Sequence, residues 1–395
     1  MLRRIALVVP VLLLAVGCGQ AHPSPGAPLV LGAIYPLSGP QAPGGKEELA
    51  GVEDALKVSA ANVRLQVIDA TTPQAAAAAV ETLVTRYHVP AILGTYGSTL
   101  SAAASARAEQ LKTVYWETGA VADPITAQRH YVFRTVATGS SLGRMAVTFT
   151  HDVLLRKYGM SRARAVVVQV DDIYGRSVGG GEVALAKADG IDVVDVIEYD
   201  PVVYDADAIA ARTAQDRPDF LWDVSYLDDG VAIWRAVLRS HIALKGAIGT
   251  SSAFCMPAFS ARLGADAVGV YAADKPDAYI SPTALSASGR ALLAKAKAAY
   301  TGGSMDIPAV AGFVGGWTLF HDVLPSVGGA VTAASIRDAA LKVDVPVGDS
   351  INGGGVRFAG RGALDEGQNT LAAAVVGQWQ AVGVMKVVYP PAYVD

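Results

Sequence analysis

The chain has 395 residues, 52% hydrophobic and 17% charged, with 15 Tyr, 8 Phe and 5 Trp. Such a composition excludes a disordered chain and predicts cores of Ala, Val, Leu and Ile in layered α/β domains of roughly 100 to 200 residues each. Lys and Arg total 32 against 36 Asp and Glu, a net charge of −4 with no long basic run, which argues against nucleic acid as a partner.

The first residues read as an export signal. Arg3 and Arg4 make a cationic start, 5–14 an apolar run, and Ala15, Val16 and Gly17 a small-residue approach to Cys18. The run is too short for a bilayer, which takes about 20 residues. A Cys directly after small residues resembles a bacterial lipobox, with Ala15 where Leu is usual. Cleavage there removes 1–17, leaves Cys18 as the lipidated N-terminus, and makes 18–28 a flexible tether. Cys255 is then the one thiol left and reads as a small buried hydrophobe. With no second span read after the signal, the lipid is the expected membrane contact.

From residue 29 onward, short Val/Ile/Leu-rich runs alternate with Ala-rich helical stretches, the pattern of parallel sheets covered on both faces. Strands are expected at 30–35, 64–68, 91–94 and 113–115, with helices at 46–58, 73–87 and 98–110. A second series starts near Ser141 with a helix to Tyr158. It continues with strands at 164–170, 192–198, 219–223 and 246–249, and helices from Gly179, near Ala206 and up to Arg239. The last third adds helices at 286–300, 308–324 and 333–342 and strand-like runs at 356–358, 373–380 and 385–389.

Open α/β sheets bind ligands beyond the carboxyl ends of their strands, where helix N-termini and loop amides converge. The loops in that position are 36–39, 97–99, 116–120, 171–174, 223–226 and 250–252, rich in hydroxyls, Gly, aromatics and a few acids. The first three belong to one unit and the rest to the other, so the expected site is a cleft between lobes that closes over a small solute.

The stretch 30–51, VLGAIYPLSGPQAPGGKEELAG, resembles the opening of type I periplasmic solute-binding proteins, the leucine/isoleucine/valine-binding family of ABC importers. The likeness continues through GTYGSTLSAAASA at 94–106, ETGAVAD at 117–123, FRT at 133–135, DDIYGRS at 171–177 and DFLWDVSYLDDG at 219–230, and closes with VRFAGRG at 356–362 and VVYPPAY at 387–393. The resemblance implies two Rossmann-like lobes with parallel sheets, joined by three crossings. It divides the mature chain into a first lobe of 29–137 plus 273–342 and a second of 138–272 plus 343–395.

The resemblance further implies that Ser98 and Thr99, with Thr118, Gly119 and Ala120, hold a ligand carboxylate. Ser98 opens a helix, where a hydroxyl and free amides meet an anion; it reads equally as a plain N-cap, and the two roles can coexist. Tyr174 and Tyr226 match the family's aromatic wall, or are buried structural tyrosines. The family's Glu for the ligand ammonium falls on Gly249, Thr250 and Ser251, so that acid is missing. A desolvated ammonium without an anion costs several kcal/mol. Either Glu117 or Asp223 replaces the acid, with Asp171 and Asp172 as further candidates, or the ligand carries no ammonium. Amides, polyamines, short carboxylates and aromatic acids stay open.

The implied function is that of an extracytoplasmic, lipid-anchored binding protein that presents an amino acid or related small polar solute to an ABC permease, without catalysis or cofactor. A ligand-sensing module for a receptor has the same fold. Gly175-Arg176-Ser177-Val178-Gly179 fits the G-x-S-x-G nucleophile elbow of a secreted serine esterase, but residues 171–174 separate Ser177 from its strand, whereas an elbow needs the Ser at the strand end. The six His show no metal-ligand spacing, and no phosphate loop or dinucleotide fingerprint occurs.

Overall fold

The computed structural model describes residues 26–277 and 279–395. The export signal, Cys18 and the tether as far as residue 25 lie outside the described residues.

The first lobe is built on β1 (Leu29–Tyr35), β2 (Val63–Asp69), β3 (Ala91–Gly94), β4 (Val114–Glu117) and β5 (Val132–Arg134), all parallel in the order β2-β1-β3-β4-β5. β3, β4 and β5 are buried along their whole length because helices cover both faces. The covering helices start where the local chemistry dictates. Thr72 accepts the amide of Ala75 at 3.1 Å ahead of Pro73, so the helix Pro73–Tyr87 opens there, and it ends where His88 turns left-handed.

On the other face, helix Ala42–Ser59 lies against helix Ile307–Trp317 with backbones in contact. A Cβ on Gly51 would stand 1.9 Å from the carbonyl oxygen of Ala309, and one on Gly312 would stand 2.0 Å from that of Glu48. The run Ile307–Ser326 is long and apolar enough to cross a membrane, with mean hydropathy 1.3, but 78% of it is buried in the protein. Its apolar character serves the core.

The second lobe is built on β6 (Ala163–Val170), β7 (Ile191–Tyr199), β8 (Phe220–Val224), β9 (Gly246–Thr250) and β10 (Tyr271–Asp274), which are parallel. Two short pairing strands, β11 (Asp344–Val345) and β12 (Val356–Arg357), lie outside both main sheets. Antiparallel β13 (Val375–Ala381) and β14 (Val384–Tyr389) complete the second sheet in the order β14-β13-β10-β9-β8-β6-β7. The chain therefore passes between sheets three times: after β5, after β10 and before β13. Asn369 binds the first and third passages together, donating 2.8 Å bonds to the carbonyls of Thr135 and Gly355.

Several expected boundaries moved for identifiable reasons. The helix expected from Gly179 starts at Ile173, because Asp172 caps it by accepting the amides of Tyr174 (2.8 Å) and Gly175 (2.9 Å). Its glycines hid the helical pattern, yet packing requires them: a Cβ on Gly175 would lie 1.9 Å from the carbonyl of Val170. β5, β10 and the helix Pro257–Leu263 were not read at all. Residues 343–369, grouped above with the second lobe, put Val343, Ile351, Val356 and Phe358 into the first lobe's core with Trp116 and Phe133.

Candidate functional site

The carboxyl end of β4 carries a closed polar circuit. Glu117, wholly buried, accepts the amides of Gly119 (2.7 Å) and Ala120 (2.6 Å) on Oε1. Its Oε2 takes the amide of Thr95 at 3.2 Å and the hydroxyls of Ser101 and Tyr115. Burial pushes the Glu117 carboxyl up, while Ser101 and the loop amides pull the other way. The loop amides expected to meet a ligand carboxylate therefore already serve an internal one. Ser98 is similarly occupied: it is buried and its Oγ accepts the amide of Ala122 at 3.2 Å. Thr118 donates to Glu48 Oε1 at 2.5 Å and shares a 2.8 Å bond with the Tyr35 hydroxyl, all out of solvent.

Beneath this loop the lobes meet around Lys275, a residue that motif reading missed because it lies just after the unread β10. Its Nζ is 3.1 Å from Asp274 Oδ1 and reaches the carbonyl of Gly119 and the hydroxyl of Ser251, each at 3.4 Å. Gly119 belongs to the first lobe and Ser251 to the loop after β9, so this buried cation spans the lobe junction. Glu48 Oε2 and Asp274 Oδ2 beside it have no hydrogen-bond partner among the described residues. Burial first, then the Glu117 charge, raises the Glu48 pKa, so its carboxyl holds a proton far above the ordinary range.

In the second lobe Tyr174 is buried in the core, with its hydroxyl donating to the Thr250 carbonyl at 2.6 Å. Tyr226 packs on it, ring centroids 5.4 Å apart, and is half-buried at the cleft with its hydroxyl 2.6 Å from Asp172 Oδ2. Asp229 accepts the Tyr199 hydroxyl and the Tyr226 amide (3.2 Å). Asp171 instead forms an exposed pair with Arg176.

Between the lobes lies a cavity of about 420 Å³. The first lobe contributes Pro36, Gln41, Tyr96 and Thr99, and the second Asp172, Tyr226, Asp229 and Met256. The Tyr96 hydroxyl approaches Met256 Sδ at 3.8 Å, a contact that crosses the cleft. Of the residues expected at the site, Thr99, Tyr226 and the further candidate Asp172 line this space directly. Gly119 and Ser251 line a much smaller void of about 10 Å³ next to it, with Lys275, Glu48 and Tyr96. Glu117, Thr118, Ala120, Ser98 and Tyr174 form the buried layer behind.

Asp223 lies elsewhere. Its Oδ1 accepts the Ser225 hydroxyl, its Oδ2 has no partner, and burial pushes its carboxyl up to about 8. It acts on Glu182, whose two oxygens are also unpartnered and whose carboxyl is pushed up to about 8 by burial and then by Asp223. Ser177 is inside a helix, donating to the Ile173 carbonyl at 2.6 Å and accepting the Asp123 amide at 3.1 Å. That is a back-bonded helical Ser that also ties the lobes, and it lacks the strand-end turn of a nucleophile elbow.

A sequence profile of the periplasmic binding protein family matches residues 28–380. The chain is 28% identical to Leu/Ile/Val-binding protein homolog 8 of Brucella abortus, over 92% of this chain and 91% of that one. It is 26% identical to homolog 7 of Brucella suis, over 93% and 92%. The leucine-binding protein LivK of Thermotoga maritima superposes with a TM-score of 0.76 at 17% identity, covering 91% of this chain and 98% of that one. A Rhodopseudomonas palustris solute-binding protein in complex with benzoate gives 0.73 at 18% identity, covering 93% and 99%. Two sheet-bearing lobes, three crossings and a cleft at the strand ends agree with these matches, and the chain belongs to the periplasmic binding protein family.

Proposed function

We propose that this protein is the extracytoplasmic solute-binding component of an ABC importer, held to the membrane by lipid on Cys18. It takes a small organic solute of the amino-acid or related class between its lobes and hands it to the permease. The observation that carries this reading is the cavity of about 420 Å³ walled from both lobes, with Tyr96 and Met256 meeting across it. A solute in that position touches both lobes at once, so binding favours the closed arrangement that a permease can distinguish from the empty one. The names of the relatives, which speak of Leu, Ile and Val, support the amino-acid class, and the benzoate complex supports a wider range of solutes.

A thermal-shift screen against amino acids, amides, amines and aromatic acids tests the reading. A ligand at about 100 times its dissociation constant adds about 2.7 kcal/mol to the folded state. Stabilisation by at least one solute, lost on Tyr226→Ala, is expected. A protein indifferent to the whole panel contradicts solute binding.

A further inference from the structure

We infer that the interlobe cavity selects an organic cation with an apolar body and no carboxylate, an aryl- or alkylamine rather than an amino acid. This rests on the solute-binding reading and narrows it.

The first reason is that the loop amides which would meet a carboxylate are taken. Glu117 holds the amides of Gly119 and Ala120, and Ser98 is buried in the layer behind the cavity with its oxygen on the amide of Ala122. Lys275, in the small void beside the cavity, is 3.1 Å from Asp274 and otherwise touches a carbonyl and a hydroxyl. A carboxylate entering here would meet no unspent positive charge.

The second reason lies in the cavity wall. Asp172, Asp228 and Asp229 line it, and none of the described lining residues is Lys or Arg. Asp228 is balanced by Arg262. Asp172 and Asp229 are met only by neutral donors: amides and the hydroxyls of Tyr226 and Tyr199. Burial pushes the Asp229 carboxyl up to about 6, while the Tyr199 hydroxyl and the helix-end amides pull the other way. The wall thus carries two carboxylates held by helix-end amides and hydroxyls and paired with no Lys or Arg among its lining residues.

The third reason is the aromatic content. Tyr96 and Tyr226 line the space from opposite lobes, and Met256 meets the Tyr96 hydroxyl at 3.8 Å. The Tyr226 hydroxyl donates to Asp172, which enriches its ring in electron density. Electron-rich rings beside a carboxylate attract an ammonium through their faces while their carbon surface covers an apolar body.

Calorimetry with two matched sets tests the inference: phenethylamine, phenylalanine and hydrocinnamate, and isoamylamine, leucine and isocaproate. Within each set the apolar body is constant and only the charged groups change. The amine is expected to bind at least about tenfold more tightly than its amino acid and carboxylate partners. Asp172→Asn retains a helix-capping oxygen and is expected to weaken the amine about tenfold while leaving the melting temperature near that of the parent. An amino acid or carboxylate binding as tightly as its amine overturns the inference. So does an Asp172→Asn loss equally large for a neutral alcohol with the same body. If neither set binds, a broad solute panel separates the two levels. A neutral or anionic hit refutes the amine class alone, and a panel without hits refutes solute binding itself.

Discussion

Glu117 and Gly119 are joined two residues apart by a 2.7 Å bond from the Gly119 amide to Glu117 Oε1, and the same oxygen holds Ala120 at 2.6 Å. The loop at the strand end is thereby closed from within. Glu117→Ala strips five donors of their acceptor in a site without water access. A loss of about 2–4 kcal/mol in unfolding free energy is expected, by analogy with buried groups left unpaired. Chemical denaturation measures it, and a variant as stable as the parent contradicts the circuit.

The two tyrosines of the second lobe divide their roles. Tyr174 is only 1% exposed and bonds to the Thr250 carbonyl, so Tyr174→Ala is expected to cost about 3–5 kcal/mol, the range for large aromatic truncations in cores. Tyr226→Ala, at the cavity wall, is expected to leave most of the stability and to lower ligand affinity about tenfold or more. Parallel melting and calorimetry on both variants would contradict this division if the losses were reversed.

Asp223 and Glu182 give the fold a pH dependence with a definite sign. Their carboxyls rise from 3.8 and 4.5 to about 8 in the folded protein. In that window the folded state binds more protons than the unfolded state, so stability is highest at the acid end and falls as pH rises toward about 8. Asp223→Asn combined with Glu182→Gln removes both titrations. Urea unfolding at about pH 5 and about pH 8 is expected to show a smaller drop for the double variant than for the parent. Equal drops would remove these residues from the account.

Gly51 and Gly312 set the distance between helices Ala42–Ser59 and Ile307–Trp317. Gly312→Val places its Cβ against the Glu48 carbonyl, 2.0 Å away, and must push the helices apart. Because backbone cannot yield as a side-chain tip can, a cost of about 3 kcal/mol or more is expected. The helix that carries Glu48 would move with it, so both melting temperature and ligand affinity fall. An unchanged melting temperature would contradict the close packing.

The alternation of Val/Ile/Leu runs with Ala-rich helices was enough to place most strands of both sheets, since strands buried on two faces have few other ways to read. β5 and β10 escaped because Val132–Arg134 is only three residues long and Tyr271–Asp274 has two Ala at its centre, so neither makes a Val/Ile/Leu run. That omission mattered: Arg134, fully buried, donates to Gln368 (2.6 Å) and the Ala122 carbonyl (2.7 Å), and Lys275 follows β10 directly. At the site, motif spacing located the loops but not the direction of their polar groups. Whether the Gly119 amide faces the cleft or Glu117 depends on a side chain two residues away adopting one rotamer, and no local pattern encodes that. Tyr226, Thr99 and Asp172 were legible as members of loops that leave the ends of core strands, and their side chains reach the cleft, whereas those of Ser98 and Thr118 in the same kind of loop turn inward.

Binding between the lobes is read most plainly from the distance across the cleft with and without solute. Thr71 and Val202 line opposite lips and are exposed, Val202 at 86%. Spin labels on Thr71→Cys and Val202→Cys, in a Cys18→Ser background with buried Cys255 left in place, report that distance. A solute that stabilises the protein is expected to narrow the distance distribution and shift it shorter, with the shift abolished by Tyr226→Ala. A distribution unchanged by every stabilising solute would contradict binding between the lobes.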